Sequence, residues 1–223
     1  MSKKLFLGID IGTTSLKAAV FDENGQRVGV RAVDYTLDTD GKTGYIEFDA
    51  ENYIKMCKTV IAELVAECGD ICALSVDTQG ETLILTDEQG TPLHPAVVWL
   101  DNRAVDEAEA IKAHFGCERV YNVTGQPEIT AGWPASKLLW FKNNRPEVFA
   151  KTKKIFMLED WVLYRLSGKF VTEPTIQSST IYYDVVNKCW WQEMLDFLGV
   201  TAEQLPALCA SAECVGEYDG IKV

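Results

Sequence analysis

The chain predicts a mixed α/β layer structure, and three features of the sequence carry that expectation. Strand-like segments joined by tight turns come first, strand and helix patterns alternate after them, and no stretch has the composition of a linker or a low-complexity tract. Leu5 to Ile9 is a nearly continuous apolar run that ends on Asp10, and Leu16 to Phe21 resumes a strand after Gly12, Thr13, Thr14 and Ser15. The opening therefore reads as a hairpin with an acid at its bend. Asn24-Gly25 turns the chain into a third strand over about residues 27–35. Residues 36–48 read as an exposed loop. Asp49 stands where it can cap a helix whose apolar positions Tyr53, Cys57, Val60, Ile61, Leu64, Val65 and Cys68 share one face, with Gly69 as its stop. Residues 71–78 and 82–86 read as strands, and TDEQG at 86–90 repeats the FDENG turn at 21–25. A second helix is predicted over 102–115, ending at Gly116. Short helices follow near 135–143, 158–166 and 190–198 in an aromatic-rich region, the last two stopped by Gly168 and Gly199.

Bulk composition narrows the partners. With 223 residues, 47% of them hydrophobic and 24% charged, the chain can bury one sizeable core. A net charge of −12 with scattered Lys and Arg argues against nucleic acid or an anionic membrane as main partner, whereas a small phosphorylated ligand needs only local positive potential. Seven cysteines without a CxxC pair fit reduced thiols in a cytoplasm better than a disulfide framework or a zinc site. The first residues reach Gly8 and Asp10 too soon for a signal sequence, and no apolar stretch approaches membrane length.

Two polar constellations carry candidate chemistry. Gly12 would let the backbone approach an anion, and the turn N–H groups with the Thr13 and Thr14 hydroxyls would donate to phosphate oxygens. Asp10 beside phosphate needs a divalent cation between them, and Mg²⁺, which keeps most of its waters, suits one carboxylate plus phosphate oxygens. A plain hairpin whose Gly and Thr merely make the turn satisfies the same residues, and nothing matches a Walker loop. Between residues 78 and 103, Gln79, Gly80 and Glu81 end one strand while Trp99, Asp101 and Arg103 follow the next apolar segment. A polyol needs acceptors, donors and an apolar plane, which Glu81, Asp101, Gln79, Arg103 and a Trp could supply. Singly they read as solvated loop acids, a surface residue at a helix start and a core aromatic. His94, in a Pro-flanked turn, and His114, near a helix end, form no pair for catalysis.

The segments GIDIGTTSLK, AVVWLDNR, PASKLLWFKNNRPEVF at 134–149, LEDWVLYRLSG at 158–168 and VTEPTIQSST at 171–180 together resemble the FGGY carbohydrate kinases, with the xylulokinases most similar. That resemblance covers essentially the whole chain. It implies an actin-like, ribonuclease H-type domain with a mixed sheet flanked by helices, forming the N-terminal half of a two-domain kinase over residues 1–223. It also implies ATP and Mg²⁺ as cofactors, a sugar or polyol as acceptor, a ketopentose such as xylulose as first choice, and homodimers as a known habit of such kinases. By resemblance, Asp10 holds metal, Gly12, Thr13, Thr14 and Lys17 serve phosphate, and Gln79, Gly80, Glu81, Asp101, Arg103 and Trp133 serve the acceptor. Xylulokinases usually carry Met-His where this chain has Gly80 and Glu81, and an acid at the second position is more like the glycerol kinases. Glu173 stands where many members have Asp. The Gly-rich segment with the general-base Asp, the FGGY motif and the nucleotide-binding half are not in these 223 residues, so the chain alone should not turn over. An actin-like chaperone, a radical-dehydratase activator and a non-catalytic sugar sensor are the rival readings. The group after residue 78 argues against the chaperone, and the cysteine spacing against the iron–sulfur activator.

Overall fold

The computed structural model describes residues 4–223. Strands β1 (Leu5–Ile11), β2 (Ser15–Asp22) and β3 (Arg27–Asp34) form an antiparallel meander, followed by short strands β4 (Asp38–Thr39) and β5 (Ile46–Phe48). Helix α1 (Ala50–Cys68) leads to β6 (Ala73–Thr78), β7 (Leu83–Thr86) and β8 (Ala96–Val97), and then to α2 (Val105–Phe115) and α3 (Cys117–Thr124). Next come α4 (Pro134–Asn144), α5 (Pro146–Lys151), β9 (Lys154–Met157) and α6 (Leu158–Ser167), and β10 (Val171–Thr172) with α7 (Pro174–Gln177). The hairpin β11 (Tyr183–Asp184) and β12 (Cys189–Trp190), α8 (Gln192–Leu198), β13 (Ala207–Leu208), β14 (Glu217–Tyr218) and β15 (Ile221–Lys222) complete the chain.

The principal sheet has the order β14-β15-β6-β1-β2-β3, with β6 parallel to β1 and the meander antiparallel. A mixed sheet of this kind is the actin-like arrangement. Strand alternation decides its two faces. Leu5, Leu7, Ile9 and Ile11 of β1, with Leu16, Ala18 and Val20 of β2, are buried in one core with the α1 residues Tyr53, Cys57, Val60, Ile61 and Leu64 and the α6 residues Trp161 and Val162. The residues between them, including Phe6, Asp10, Lys17 and Phe21, lie on the opposite, open face, joined there by Val30 of β3. A second core joins the β7–β8 layer to α2, α4 and α8 through Leu83, Ile111, Leu138, Phe141 and Leu195.

Local chemistry explains several element ends. The Asp49 carboxylate accepts from the Glu51 N–H at the start of α1, and the Gly69 N–H bonds the Val65 carbonyl at its end. The two similar turns are built alike. Asp22 Oδ1 accepts from the N–H groups of Asn24 and Gln26, and Asp87 Oδ1 from those of Gln89 and Thr91. Three expectations need correction. β1 continues through Asp10 to Ile11, so the acid lies within the strand, paired with Lys17, and the turn begins after it. Residues 36–48 are not wholly an exposed loop, because β5 pairs with β8 and buries Phe48. The second helix begins at Val105, three residues later than the pattern suggested, because Asp101 holds the chain in an extended turn before it.

Candidate functional site

The hairpin tip presents hydroxyls beside an uncommitted carboxylate. Asp10 is exposed on the open face of the sheet, with Lys17 opposite it on β2 and Asp77 opposite it on β6. Neighbours in register project to the same face, so the carboxylate stands between a cation and a second acid. Among the described residues Asp10 makes no ion pair and no side-chain hydrogen bond, which leaves both oxygens for a hydrated divalent cation and so fits Mg²⁺. Beneath this row Gly8, Ala19 and Ser75 form the floor of an open depression of about 370 Å³. Gly12 leaves the donor role to the rest of the turn. Its N–H donates to the Ser15 carbonyl at 3.0 Å and its carbonyl accepts from the Tyr35 hydroxyl, so it closes the hairpin and offers no free donor. The exposed Thr14 and the half-buried Thr13 remain at the tip.

A second cavity, of about 350 Å³, is lined by Glu81, Trp99, Leu100, Asn102, Thr130, Gly132 and Trp133. Three segments distant in sequence build it: the β6–β7 turn, the loop after β8 and the entry to α4. Trp133 is the residue before α4, whose first helical position is Pro134, and its indole N–H is held by the Glu128 carbonyl at 2.8 Å. Gly132 permits a close approach, since a Cβ there would stand 3.2 Å from the Trp99 carbonyl oxygen, so that the Trp99 segment would have to give by a few tenths of an ångström. Trp99, 40% exposed, donates its indole N–H to Thr13 Oγ1 at 3.0 Å. The wall of the cavity is thereby bonded to the tip of the hairpin.

Of the six residues predicted for the acceptor, Glu81 and Trp133 line this cavity and four others, Gln79, Gly80, Asp101 and Arg103, do not. Asp101 is fully buried, and the Arg103 side chain is equally sequestered. The Arg103 Nε and Nη2 donate to the two Asp101 oxygens at 2.8 Å each, and Nη2 also reaches Glu47 at 2.7 Å. The guanidinium stacks on Tyr45 and Trp140, with centroid distances of 4.1 and 4.8 Å. Burial pushes the Asp101 pKa up, but hydrogen bonds from Arg103 and from the N–H of Ile46 overcome it and hold the carboxylate below its ordinary range. This pair ties β5 to the start of α2 and supports the cavity from behind. Gln79 also faces away, donating to the Tyr53 hydroxyl on α1 at 3.0 Å. Gly80 lies in the turn before Glu81 and outside the lining. Asn102, Thr130 and Leu100 are lining residues that the sequence pattern did not single out. The signal for Asn102 was its place between two residues that turn inward.

Glu173, His94 and His114 have structural employment. Glu173 caps α7, accepting from Thr175 and Ile176 N–H. His94 packs edge-on against Phe141, and His114 lies against Phe115 and Phe197. All seven cysteines are free thiols. No helix among the described residues is long and apolar enough to cross a membrane.

Comparison with known proteins agrees with this architecture. Residues 5–220 match the model of the FGGY family of carbohydrate kinases, N-terminal domain. A xylulose kinase from Lactococcus lactis is 31% identical over 214 residues, covering 94% of this chain and 42% of that protein. A glycerol kinase from Desulforamulus reducens is 30% identical over 227 residues, covering 97% of this chain and 45% of that protein. The crystal structure of a gluconate kinase from Lactobacillus acidophilus superposes with a TM-score of 0.93 at 29% identity, over 99% of this chain and 47% of that one. The chain thus spans less than half the length of these relatives. It belongs to the FGGY family of carbohydrate kinases and corresponds to the family's N-terminal, actin-like domain.

Proposed function

We propose that this chain is the acceptor-binding and phosphate-facing half of a kinase that transfers the γ-phosphoryl group of ATP to a hydroxyl of a ketopentose such as xylulose. The observation that carries the reading is the Trp99 to Thr13 hydrogen bond, which sets a cavity with hydroxyl-reading groups directly against the hairpin tip. Glu81 and Asn102 offer polar atoms to adjacent hydroxyls, and Trp99 and Trp133 offer faces to C–H groups. Thr13, Thr14 and Lys17 would hold phosphate oxygens, and Asp10 would hold Mg²⁺ through water; bound there, the metal neutralises phosphate charge during transfer. The chain's own contribution is positioning: it fixes a hydroxyl near the phosphate end of the nucleotide and excludes alternatives by shape. The general base and the adenosine-binding surface belong to a C-terminal domain beyond these residues, and the free thiols agree with a reducing cytoplasm.

The cavity's charge narrows the acceptor. Arg103 is locked behind the wall and Glu81 is the charged lining residue, so the surface supplied by this chain favours a neutral polyol or ketose over a sugar acid. Glu81 itself favours glycerol as the second reading, because an acid at that position is the feature shared with glycerol kinases. Titrating D-xylulose, glycerol and gluconate against the chain, followed by Trp fluorescence, separates these. D-xylulose should bind and gluconate should not, and Glu81→Ala should weaken the favoured acceptor about tenfold, or ~1.4 kcal/mol. Gluconate binding best, or an unchanged profile for Glu81→Ala, would remove Glu81 from the site. Sugar-dependent ADP formation by the 223-residue chain alone would overturn the division of labour.

A further inference from the structure

The helix α4 carries a lysine in a place where lysines are seldom found. Lys137 is completely buried, and its long side chain does not reach solvent at either end of the helix. An ammonium removed from water persists only where its donors are satisfied. Two backbone carbonyls engage two of its three donors: Nζ donates to the Glu81 carbonyl at 3.1 Å and to the Val98 carbonyl at 2.9 Å. Burial draws the Lys137 pKa down to about 7, against the attraction of Asp101 and Glu81 and with added repulsion from Arg103.

The identity of the two acceptors gives the lysine its meaning. Glu81 lines the acceptor cavity, and Val98 immediately precedes Trp99, which lines it too. Glu81 also has a φ of 55°, in the left-handed region that costs a residue with a Cβ. A side chain that adopts such a backbone persists when its surroundings hold it there. Lys137 bonds the carbonyl of that very residue, and it does so from the helix whose entry supplies Trp133 and Gly132 to the same cavity.

We propose that Lys137 is a positioning residue for acceptor recognition, fastening the left-handed backbone of Glu81 to the Trp99 segment so that the Glu81 carboxylate meets the acceptor hydroxyls. The proposal rests on the acceptor reading of the cavity. Lys137 touches no substrate. It acts through Glu81, and it joins the three segments of the cavity wall at one atom.

The test is a double-mutant cycle on D-xylulose affinity, read by Trp fluorescence with circular dichroism as the check on folding. Lys137→Met should weaken D-xylulose at least tenfold in the wild-type background. In a Glu81→Gly background, which lacks the carboxylate and adopts the left-handed backbone unaided, the same change should weaken it by no more than twofold. Equal losses in both backgrounds, or unchanged affinity for folded Lys137→Met, would overturn the proposal. If Lys137→Met alone does not fold, Glu81→Gly should restore the fold, and a double variant that stays unfolded would also overturn it. A wild-type chain that binds neither D-xylulose nor glycerol would instead sink the acceptor reading, and this proposal with it.

Discussion

Two acid and base pairs in this molecule have the same chemistry and opposite fates. Asp10 and Lys17 face each other across β1 and β2, both exposed, with no ion pair formed among the described residues. Asp101 and Arg103 are two residues apart in the chain, both buried, and bonded through two oxygens with Glu47 and two aromatic rings closing the site. The first pair keeps its charge available to a ligand. The second has used its charge to hold the cavity wall in shape. Solvent leaves the charges of the exposed pair uncommitted, whereas burial and bonding through Nε and Nη2 commit those of the other, with Arg103 Nη1 alone left without a partner.

The largest break in this comparison should come from the buried pair. Arg103→Ala leaves Asp101 buried with its main partner gone, which costs about 3–5 kcal/mol. In a chain of this size that lowers the melting temperature by roughly 10 °C. A fall of less than a few degrees would mean that Arg103 is free to serve a ligand after all. The sign of the acid dependence follows from the same pair. The folded Asp101 carboxylate is held below its ordinary pKa, so its contribution is present above about pH 4 and is lost as pH falls through the lowered value. The gap between wild type and Arg103→Ala should narrow accordingly in acid melts.

Asp160 sharpens the contrast as an acid buried with no cation at all. Its Oδ2 accepts from the Met157 N–H and from Gln177, Oδ1 has no partner, and burial raises its pKa to about 7. The folded pKa lies above the unfolded one, so the stabilising protonated state is fully present below about pH 4 and lost as pH rises through 7. Asp160→Asn should remove a slope of up to about 1.4 kcal/mol per pH unit between pH 5 and 7 in denaturant titrations. Glu159, raised to about 8 by burial, leaves a residual slope of the same sign. A pH profile identical to wild type would show that Asp160 stays ionised in the fold.

The smallest stability effect belongs to the exposed pair. Asp10→Asn should change unfolding free energy by less than about 0.5 kcal/mol, because no partner is lost. In the full-length kinase the same change should cut phosphoryl transfer sharply while acceptor affinity holds. A large stability loss would show that Asp10 is structural, and unchanged turnover would remove it from the metal site.

The hairpin at residues 5–22 was legible because its chemistry is contiguous: apolar alternation, a Gly-Thr turn and an acid within a few positions. The α1 helix was legible for the same reason, through its period and the Asp49 cap. The cavity was only half legible. Glu81 and Trp133 were named in advance, but Asp101 and Arg103 were assigned to the acceptor because a loop has no period from which to read side-chain direction. Asn102, between them, points into the cavity for the reason that its neighbours point away. Lys137 gave no signal, since a lysine within PASKLLWF reads as an exposed helix position until the packing of α4 is known.

By itself the sequence determined β1 to β3, β6, β7 and the helices α1, α2, α4, α6 and α8 to within about three residues, the likeness of the turns at 21–25 and 86–90, the one apolar face of α1 and the resemblance to a kinase family. These depend on interactions within a few residues of one another, and local pattern records such interactions directly. Only the tertiary structure decided which charges are spent and which are available, that Trp99 joins cavity to hairpin, and that Lys137 lies beneath Glu81. Those outcomes depend on burial and on partners brought from distant segments, and the free energy of a charge is set by its surroundings far more than by its neighbours along the chain.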